Sequence, residues 1–453
     1  MQYTPHTYQT RLKDFIIANR FAFLTVDMGL GKTVTTLTAV RELLEDYLEA
    51  DRVLVIAPKS VAENTWTAEC AKWDHLEHLR VSVVMGTEAQ RLKALDAPAD
   101  LYVINRDNVV WLVDHYGATW PFDTVIIDES SSFKNPQARR FKALRRVRPM
   151  LRRLVLLTGT PSPNGYMDLW AQMWLVDMGQ RLGRTLTAYR GKYFKPGRSN
   201  GHTVYNWILN PGASDAIGQL MADVTVSLKA EDWIEVPDLI ETDVRIALGS
   251  KELAQYKTFE RDQVLSLGNE DIVAITAAAL ATKLLQFTGG AMYDDDHNWH
   301  PVSDAKLRAL EDILEAADGD PVLVFYQYRH ELERLQEYFK ALHPVTFSGE
   351  PEILQEWNTG RVPLMLCQPA SVQYGLNMQA GGHIIVWYTP TWNLEQYQQA
   401  NARLHRQGQG RPVLCYRLIC EGTIDERVVG TLKGKDGAQE RLLELIRGLA
   451  ADY

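Results

Sequence analysis

The stretch FAFLTVDMGLGKT, Phe21 to Thr33, decides the fold. Phe21–Val26 is an apolar run of strand length, and a helical pattern begins at Lys32 and runs through Tyr47. Between them lies a turn with glycines at 29 and 31. Glycine lets a backbone fold around an anion with its N–H groups turned inward, and the dipole of the following helix adds to that field. In this frame Met28, Gly29, Leu30 and Gly31 line a phosphate cradle. Lys32 reaches the β- and γ-phosphates of ATP, and the Thr33 hydroxyl ligates Mg²⁺. The loop is a variant, because Val26 stands where the pattern G-x-x-x-x-G-K-[ST] has its first glycine.

The stretch that answers to this loop is Thr124-Val-Ile-Ile-Asp128-Glu129, an apolar strand ending in two acids. The carboxyl end of a strand in a parallel sheet is where ligands bind. Asp128 is expected to hold Mg²⁺ through water, and Glu129 to position and polarise the attacking water. Strand-end acids also serve as helix caps. With the glycine loop upstream in the same chain, the metal reading is preferred.

Working outward, short runs rich in Val, Ile and Leu alternate with amphipathic stretches twice over. The first series lies near Phe21–Val26, Val53–Ala57, Val81–Met85, Leu101–Ile104, Thr124–Ile127 and Leu154–Thr158. The second lies near Val322–Tyr326, Val345–Phe347, Leu364–Cys367, His383–Trp387 and Val413–Leu418. Continuous apolar strands alternating with helices imply parallel sheets covered on both faces. The chain is therefore expected to be α/β: a first lobe over 1–165, a mainly helical insertion over 166–300 that returns to it, and a second lobe over 301–453. Inside the insertion, 195–214 reads as an exposed loop, Asp271–Phe287 as a helix and Asp294–His297 as a turn.

Composition agrees with a globular chain. At 453 residues, two or three domains are expected, and 46% hydrophobic with 23% charged residues is ordinary for a soluble protein. No run of about 18 apolar residues is present to span a membrane. The start, MQYTPHTYQTRLKD, lacks the apolar core of a secretory signal. The four cysteines are scattered, and Cys415 and Cys420 have no partner pair, so reduced core thiols of a cytoplasmic protein are expected. A monomeric core is a separate expectation. The net charge of −9 conceals two basic runs, Gln137–Arg153 without any acid and Arg181–Arg198. Each is either a nucleic-acid-tracking surface or a solvated face.

These residues resemble a known family. Asp27-Met-Gly-Leu-Gly-Lys-Thr33, Ala57-Pro58-Lys59-Ser60, Asp128-Glu129 with Lys134-Asn135-Pro136, and Leu157-Thr-Gly-Thr-Pro161 occur in order. They are similar to motifs I, Ia, II and III of the Swi/Snf-related ATPases of helicase superfamily 2. Pro321–Gln327 resembles motif IV, and Gly375-Leu376-Asn377-Met378 resembles motif V. Trp392-Asn393, Gln399-Ala400 and Arg403-Leu-His-Arg406-Gln-Gly-Gln409 resemble motif VI. Tyr8-Gln9 is like the family's adenine-reading glutamine motif. The resemblance implies two RecA-like lobes of the P-loop NTPase fold, with Gln9, the 28–33 loop and Gly375 binding nucleotide. It implies that Arg406 is an arginine finger, with Arg403 its neighbour on the phosphates. Lys59, Ser60, Asn105, Lys134, Asn164 and Gln327 are the implied nucleic-acid contacts.

Three departures bear on this. Asp128-Glu129-Ser130-Ser131 stands for the usual Asp-Glu-Ala-His, so the residue linking ATP to motif III is a serine. Ser371-Val372-Gln373 replaces a usual Ala-Gly-Gly. Accessory chromatin-reading domains are not expected, which points to a minimal bacterial or phage-type engine. The resemblance thus implies a DNA-dependent ATPase that moves on double-stranded DNA or remodels complexes on it. Two alternatives stay open: a strand-separating helicase, and an ATP-gated DNA clamp that seldom hydrolyses.

Overall fold

The computed structural model describes residues 1–27, 29–162, 165–197, 204, 207–228, 233, 237–266, 274–294, 296–372 and 376–432. The chain divides into two compact units, Met1–Ile234 and Glu235–Tyr453.

In the first unit, β1 (Phe21–Val26), β2 (Val53–Ala57), β3 (Val81–Val84), β4 (Leu101–Asn105), β5 (Thr124–Asp128) and β6 (Arg153–Thr158) fall on the apolar runs read from the sequence. β7 (Phe194–Pro196) and β8 (Trp207–Leu209) form an antiparallel ribbon apart from the sheet. β9 (Thr225–Leu228) then adds a seventh strand, giving the order β3-β4-β2-β5-β6-β1-β9 with every pairing parallel. β2, β4 and β6 have no exposed residue, which is why their sequences are continuously apolar instead of alternating. The helix Thr7–Ala18 lies against the helix Lys32–Glu45, joined by Lys13 Nζ to Glu42 at 3.0 Å.

The second unit holds β10 (Leu239–Ile246), a hairpin of β11 (Ala291–Tyr293) and β12 (Trp299–Pro301), and β13 (Val322–Phe325), β14 (Val345–Phe347), β15 (Leu364–Cys367), β16 (Ile384–Trp387) and β17 (Val413–Cys420). The sheet order is β10-β17-β16-β13-β15-β14, again parallel throughout. Leu323 and Phe325 pack on one face with Trp387 and Cys415, while Val322 and Val324 pack on the other with Val386 and Leu418. That alternation covers the sheet on both sides. The helix Ala274–Thr288 buries Leu280, Leu284 and Leu285 against Tyr256, Ile424 and Val428.

Two expectations change. The described part of 195–214 contributes to the β7–β8 ribbon and begins the helix Ala213–Met221. β9 and β10 were not among the strands read from the sequence. Both are sheet edges, and β10 (LIETDVRI) has exposed polar residues that break the apolar run.

Candidate active site

Because β1, β2, β4, β5 and β6 are parallel, their carboxyl ends meet at one edge. The glycine loop follows β1, Pro58-Lys59-Ser60 follows β2, Glu129 follows β5, and Gly159-Thr160-Pro161 follows β6. Motifs far apart in sequence are thereby gathered at the edge where such sheets bind ligands.

Gly29 and Gly31 are left-handed, with φ of 87° and 70°. Gly31 is the N-cap of Lys32–Glu45, so its conformation turns the chain from loop into helix. Lys32 Nζ donates to the carbonyls of Val26 at 2.6 Å and Asp27 at 3.5 Å, which keeps the ammonium inside its own loop. Gln9 is buried above it. Its Oε1 accepts from the His6 N–H at 2.9 Å, and its Nε2 donates to the Leu30 carbonyl at 3.4 Å. A Cβ on Gly31 would lie 2.5 Å from Gln9 Nε2. Gln9 and the loop therefore form one fitted surface.

Asp128 ends β5 and is half-buried. Oδ2 accepts from Trp66 Nε1 at 3.1 Å, and Oδ1 accepts from the Glu129 N–H at 3.1 Å. Burial raises its pKa, while the nearby Lys32 charge opposes that rise. A desolvated carboxylate beside one ammonium and a threonine-bearing helix start is a donor set that fits hydrated Mg²⁺. Glu129 sits at φ 53°, ψ 58°, a left-handed conformation that costs a non-glycine residue roughly 1–2 kcal/mol. Such strain persists where the surroundings dictate it, and it clusters at functional positions. Ser130 and Ser131 follow it, both buried. Ser130 Oγ donates to Gln172 Oε1 at 2.9 Å.

Lys32 thus lies near Asp128, Glu129 adjoins Asp128, Gln9 packs on the loop at Leu30 and Gly31, and Thr33 stands in the first turn of the helix Lys32–Glu45. Met28 and Asn164 lie outside the described residues, as does Gly375 in the second unit. Lys59 and Ser60 are exposed beyond β2, with Lys59 3.9 Å from Glu63. Asn105 is buried at the end of β4. Lys134 Nζ is 3.8 Å from Asp168.

In the second unit, Gln327 follows β13, and its N–H donates to the buried Glu331 at 2.7 Å. Asn393 caps the helix Leu394–Asn401, and Arg403 and Arg406 follow that helix instead of extending it. Both reach the carbonyl of Leu376 in motif V, from Arg403 Nη1 at 3.2 Å and from Arg406 Nη1 at 3.0 Å. Gln409 Nε2 donates to the carbonyls of Gln379, Gly382 and Leu404, which fastens the end of motif VI to the loop before β16.

The acid-free basic run separates into two kinds of residue. Arg148 donates to the carbonyls of Leu175 and Val176, and Arg153 to those of Ile16, Ile17 and Asn19. Both arginines are buried at helix carboxyl ends, where unpaired carbonyls need donors, and burial lowers the Arg148 pKa to about 10. Arg139, Lys142, Arg145, Arg146 and Arg152 are exposed, although Arg146 pairs with Asp114 and Arg145 lies over Trp174. Two partners were not found by sequence reasoning, Trp66 and Gln172. Their contacts span 62 and 42 residues, and no local pattern marks them.

A left-handed glycine loop at a helix start, with its lysine beside an acidic strand end, defines a P-loop nucleotide-binding unit. The chain belongs to the SNF2-related family: the SNF2-related domain matches residues 18–286, and the helicase conserved C-terminal domain matches 305–408. Protein p41 of Acyrthosiphon pisum secondary endosymbiont phage 1 is 39% identical over 98% of this chain and 99% of its own length. An uncharacterized ATP-dependent helicase of Mycoplasma genitalium is 24% identical over 90% of this chain, which spans only 39% of that relative. Among solved structures, the Sulfolobus solfataricus SWI2/SNF2 ATPase core in complex with dsDNA aligns over 100% of this chain and 95% of that one, at 21% identity and a TM-score of 0.45. No helix among the described residues is long and apolar enough to cross a membrane.

Proposed function

We propose that this chain is an ATP-hydrolysing motor that moves along double-stranded DNA. The observation that carries the reading is the meeting of Lys32, Asp128 and the strained Glu129 at one sheet edge, in a chain of the SNF2-related family. Lys32 and the 28–31 backbone bind the β- and γ-phosphates, and Gln9 reads the base at the helix above them. Thr33 and Asp128 would hold Mg²⁺, which would neutralise charge on the phosphate oxygens. Glu129 orients the attacking water. Arg403 and Arg406 supply guanidinium charge to the γ-phosphate as it leaves.

DNA is gripped by its backbone, since phosphates present the same target at every register and favour movement over sequence recognition. Lys59, Ser60, Asn105, Lys134, Asn164 and Gln327 serve as contacts, and the exposed part of the basic helix Arg139–Val147 adds positive charge on the first unit. Residues 1–165 and 301–453 act as the two motor lobes.

Steady-state ATP turnover, alone and with duplex DNA, single strands or RNA, tests the reading. Duplex should stimulate most, and stimulation should fall steeply as salt rises. Glu129→Gln should bind nucleotide and stop turning it over. Equal stimulation by RNA, or stimulation indifferent to salt, would overturn movement on duplex DNA. The serine at 131 favours one rival, an ATP-gated clamp, which predicts nucleotide-dependent retention on duplex with negligible turnover.

A further inference from the structure

Gln172 lies in the helix Leu169–Asp177 and is fully buried. Its Nε2 donates to the carbonyls of Pro161 at 2.7 Å and Asp168 at 3.0 Å, while its Oε1 accepts from Ser130 Oγ at 2.9 Å. Carbonyl oxygens only accept, so the amide can face one way, with nitrogen toward Pro161 and oxygen toward Ser130. Both N–H groups and the oxygen are satisfied. Every other residue of this helix except its last, Asp177, is apolar and buried, so an apolar side chain at 172 would fill the place without needing partners. The amide is there for the groups it joins.

Those groups belong to the hydrolytic loop and to the turn after β6. Ser130 directly follows Glu129, whose left-handed backbone must be held by its surroundings. Pro161 closes the turn Gly159-Thr160-Pro161, and Thr160 N donates within that turn to Thr158 Oγ1 at 3.1 Å. Lys134 and Asp168 approach each other along the same seam.

We propose that Gln172 is a positioning residue for Glu129. Through Ser130 it locks the loop after β5 to the turn after β6, so that the conformation placing the Glu129 carboxylate and the conformation of the 158–161 turn change together. This rests on the reading of Glu129 as the residue that orients water. The bridge does the work of linking the hydrolytic loop to motif III at a site where the chain has serines at 130 and 131.

The test uses the full chain with Ser130→Ala, Gln172→Met and the double variant. Methionine keeps the length and volume of glutamine and removes every hydrogen bond. Each single variant should lower kcat about tenfold with the KM for ATP within about twofold of wild type. The double variant should be no worse than the poorer single, because either change alone already opens the bridge. Ser130→Ala should also raise amide hydrogen exchange in peptides covering 158–162, a segment it does not touch covalently. A role confined to packing would lower the melting temperature and leave kcat alone. Wild-type kcat in both single variants therefore overturns the proposal. If wild type shows no ATP turnover, the motor reading fails, and exchange alone decides the bridge: unchanged exchange at 158–162 in Ser130→Ala overturns it, and raised exchange supports it.

Discussion

Replacing Gly31 with alanine puts a methyl group where the backbone and a neighbour both refuse it. At φ 70° and ψ 36°, an alanine pays the left-handed penalty of roughly 1–2 kcal/mol. The gain from a stiffer unfolded chain, about 0.4–1 kcal/mol, offsets part of that. The methyl then sits 2.5 Å from Gln9 Nε2, so the Gln9 side chain must leave. Leaving breaks its bonds with the His6 N–H and the Leu30 carbonyl, each worth about 0.5–1.5 kcal/mol net. The sum is on the order of 2–3 kcal/mol, or about 4–12 °C in the melting temperature of a unit this size. Nucleotide affinity should fall at least about tenfold, because both the cradle and its glutamine have moved. Thermal melting and titration with a fluorescent ADP measure the two effects. The informative variant is Gly31→Ala combined with Gln9→Ala, in which the methyl has room. It should melt higher than the sum of the single changes predicts. Strict additivity would refute the conflict between the methyl and Gln9, and wild-type nucleotide affinity in Gly31→Ala would refute the cradle.

Trp66→Phe keeps an apolar aromatic ring, though a smaller one, and removes the donor to Asp128 Oδ2, so the Mg²⁺ concentration for half-maximal turnover should rise roughly tenfold; an unchanged Mg²⁺ dependence would exclude this role. Arg406→Ala should lower kcat by roughly 10³-fold with nucleotide affinity nearly intact, and a wild-type kcat at saturating duplex would dismiss the finger assignment. Arg403 still donates to the Leu376 carbonyl in that variant, which limits the structural cost. His330 is fully buried, and burial, with help from Arg334, lowers its pKa to about 3. The native state therefore refuses a proton that the unfolded chain binds below about pH 6.5. The stability from neutral His330 is whole above that pH and is lost as pH falls toward 3. Between about pH 7 and pH 5 wild type should lose about 2 kcal/mol that His330→Leu does not lose, measured by denaturant unfolding.

What the sequence made legible follows from which forces leave a local trace. The interior strands were readable because a parallel sheet buried on both faces demands apolar residues without a break, as in VLVIA at 53–57. β9 and β10 escaped because an edge strand has one neighbour and open polar positions; residues such as Glu241 and Asp243 disguise the run. The basic run was ambiguous for a related reason. Charge shows that arginines are present but not that Arg148 and Arg153 are spent on helix carboxyl ends, since those carbonyls are brought to them only by the fold. Trp66 and Gln172 are the same case: each meets its partner across a turn of tertiary structure.

The loop itself shows why a departure from a pattern can be harmless. Val26 occupies the place of a glycine, which on the pattern alone weakens the reading. In the fold it is the last residue of β1, fully buried and opposite Leu228 of β9. Its backbone stays extended with its strand, and what the site takes from it is a carbonyl, the one that receives Lys32 Nζ at 2.6 Å. Any residue supplies a carbonyl. Left-handed backbone is required further on, at 29 and 31, and both positions are glycine. That glycine is not required at 26 and is required at 31 comes from the same geometry: the chain is still a strand at the first position and is wrapping an anion site by the second.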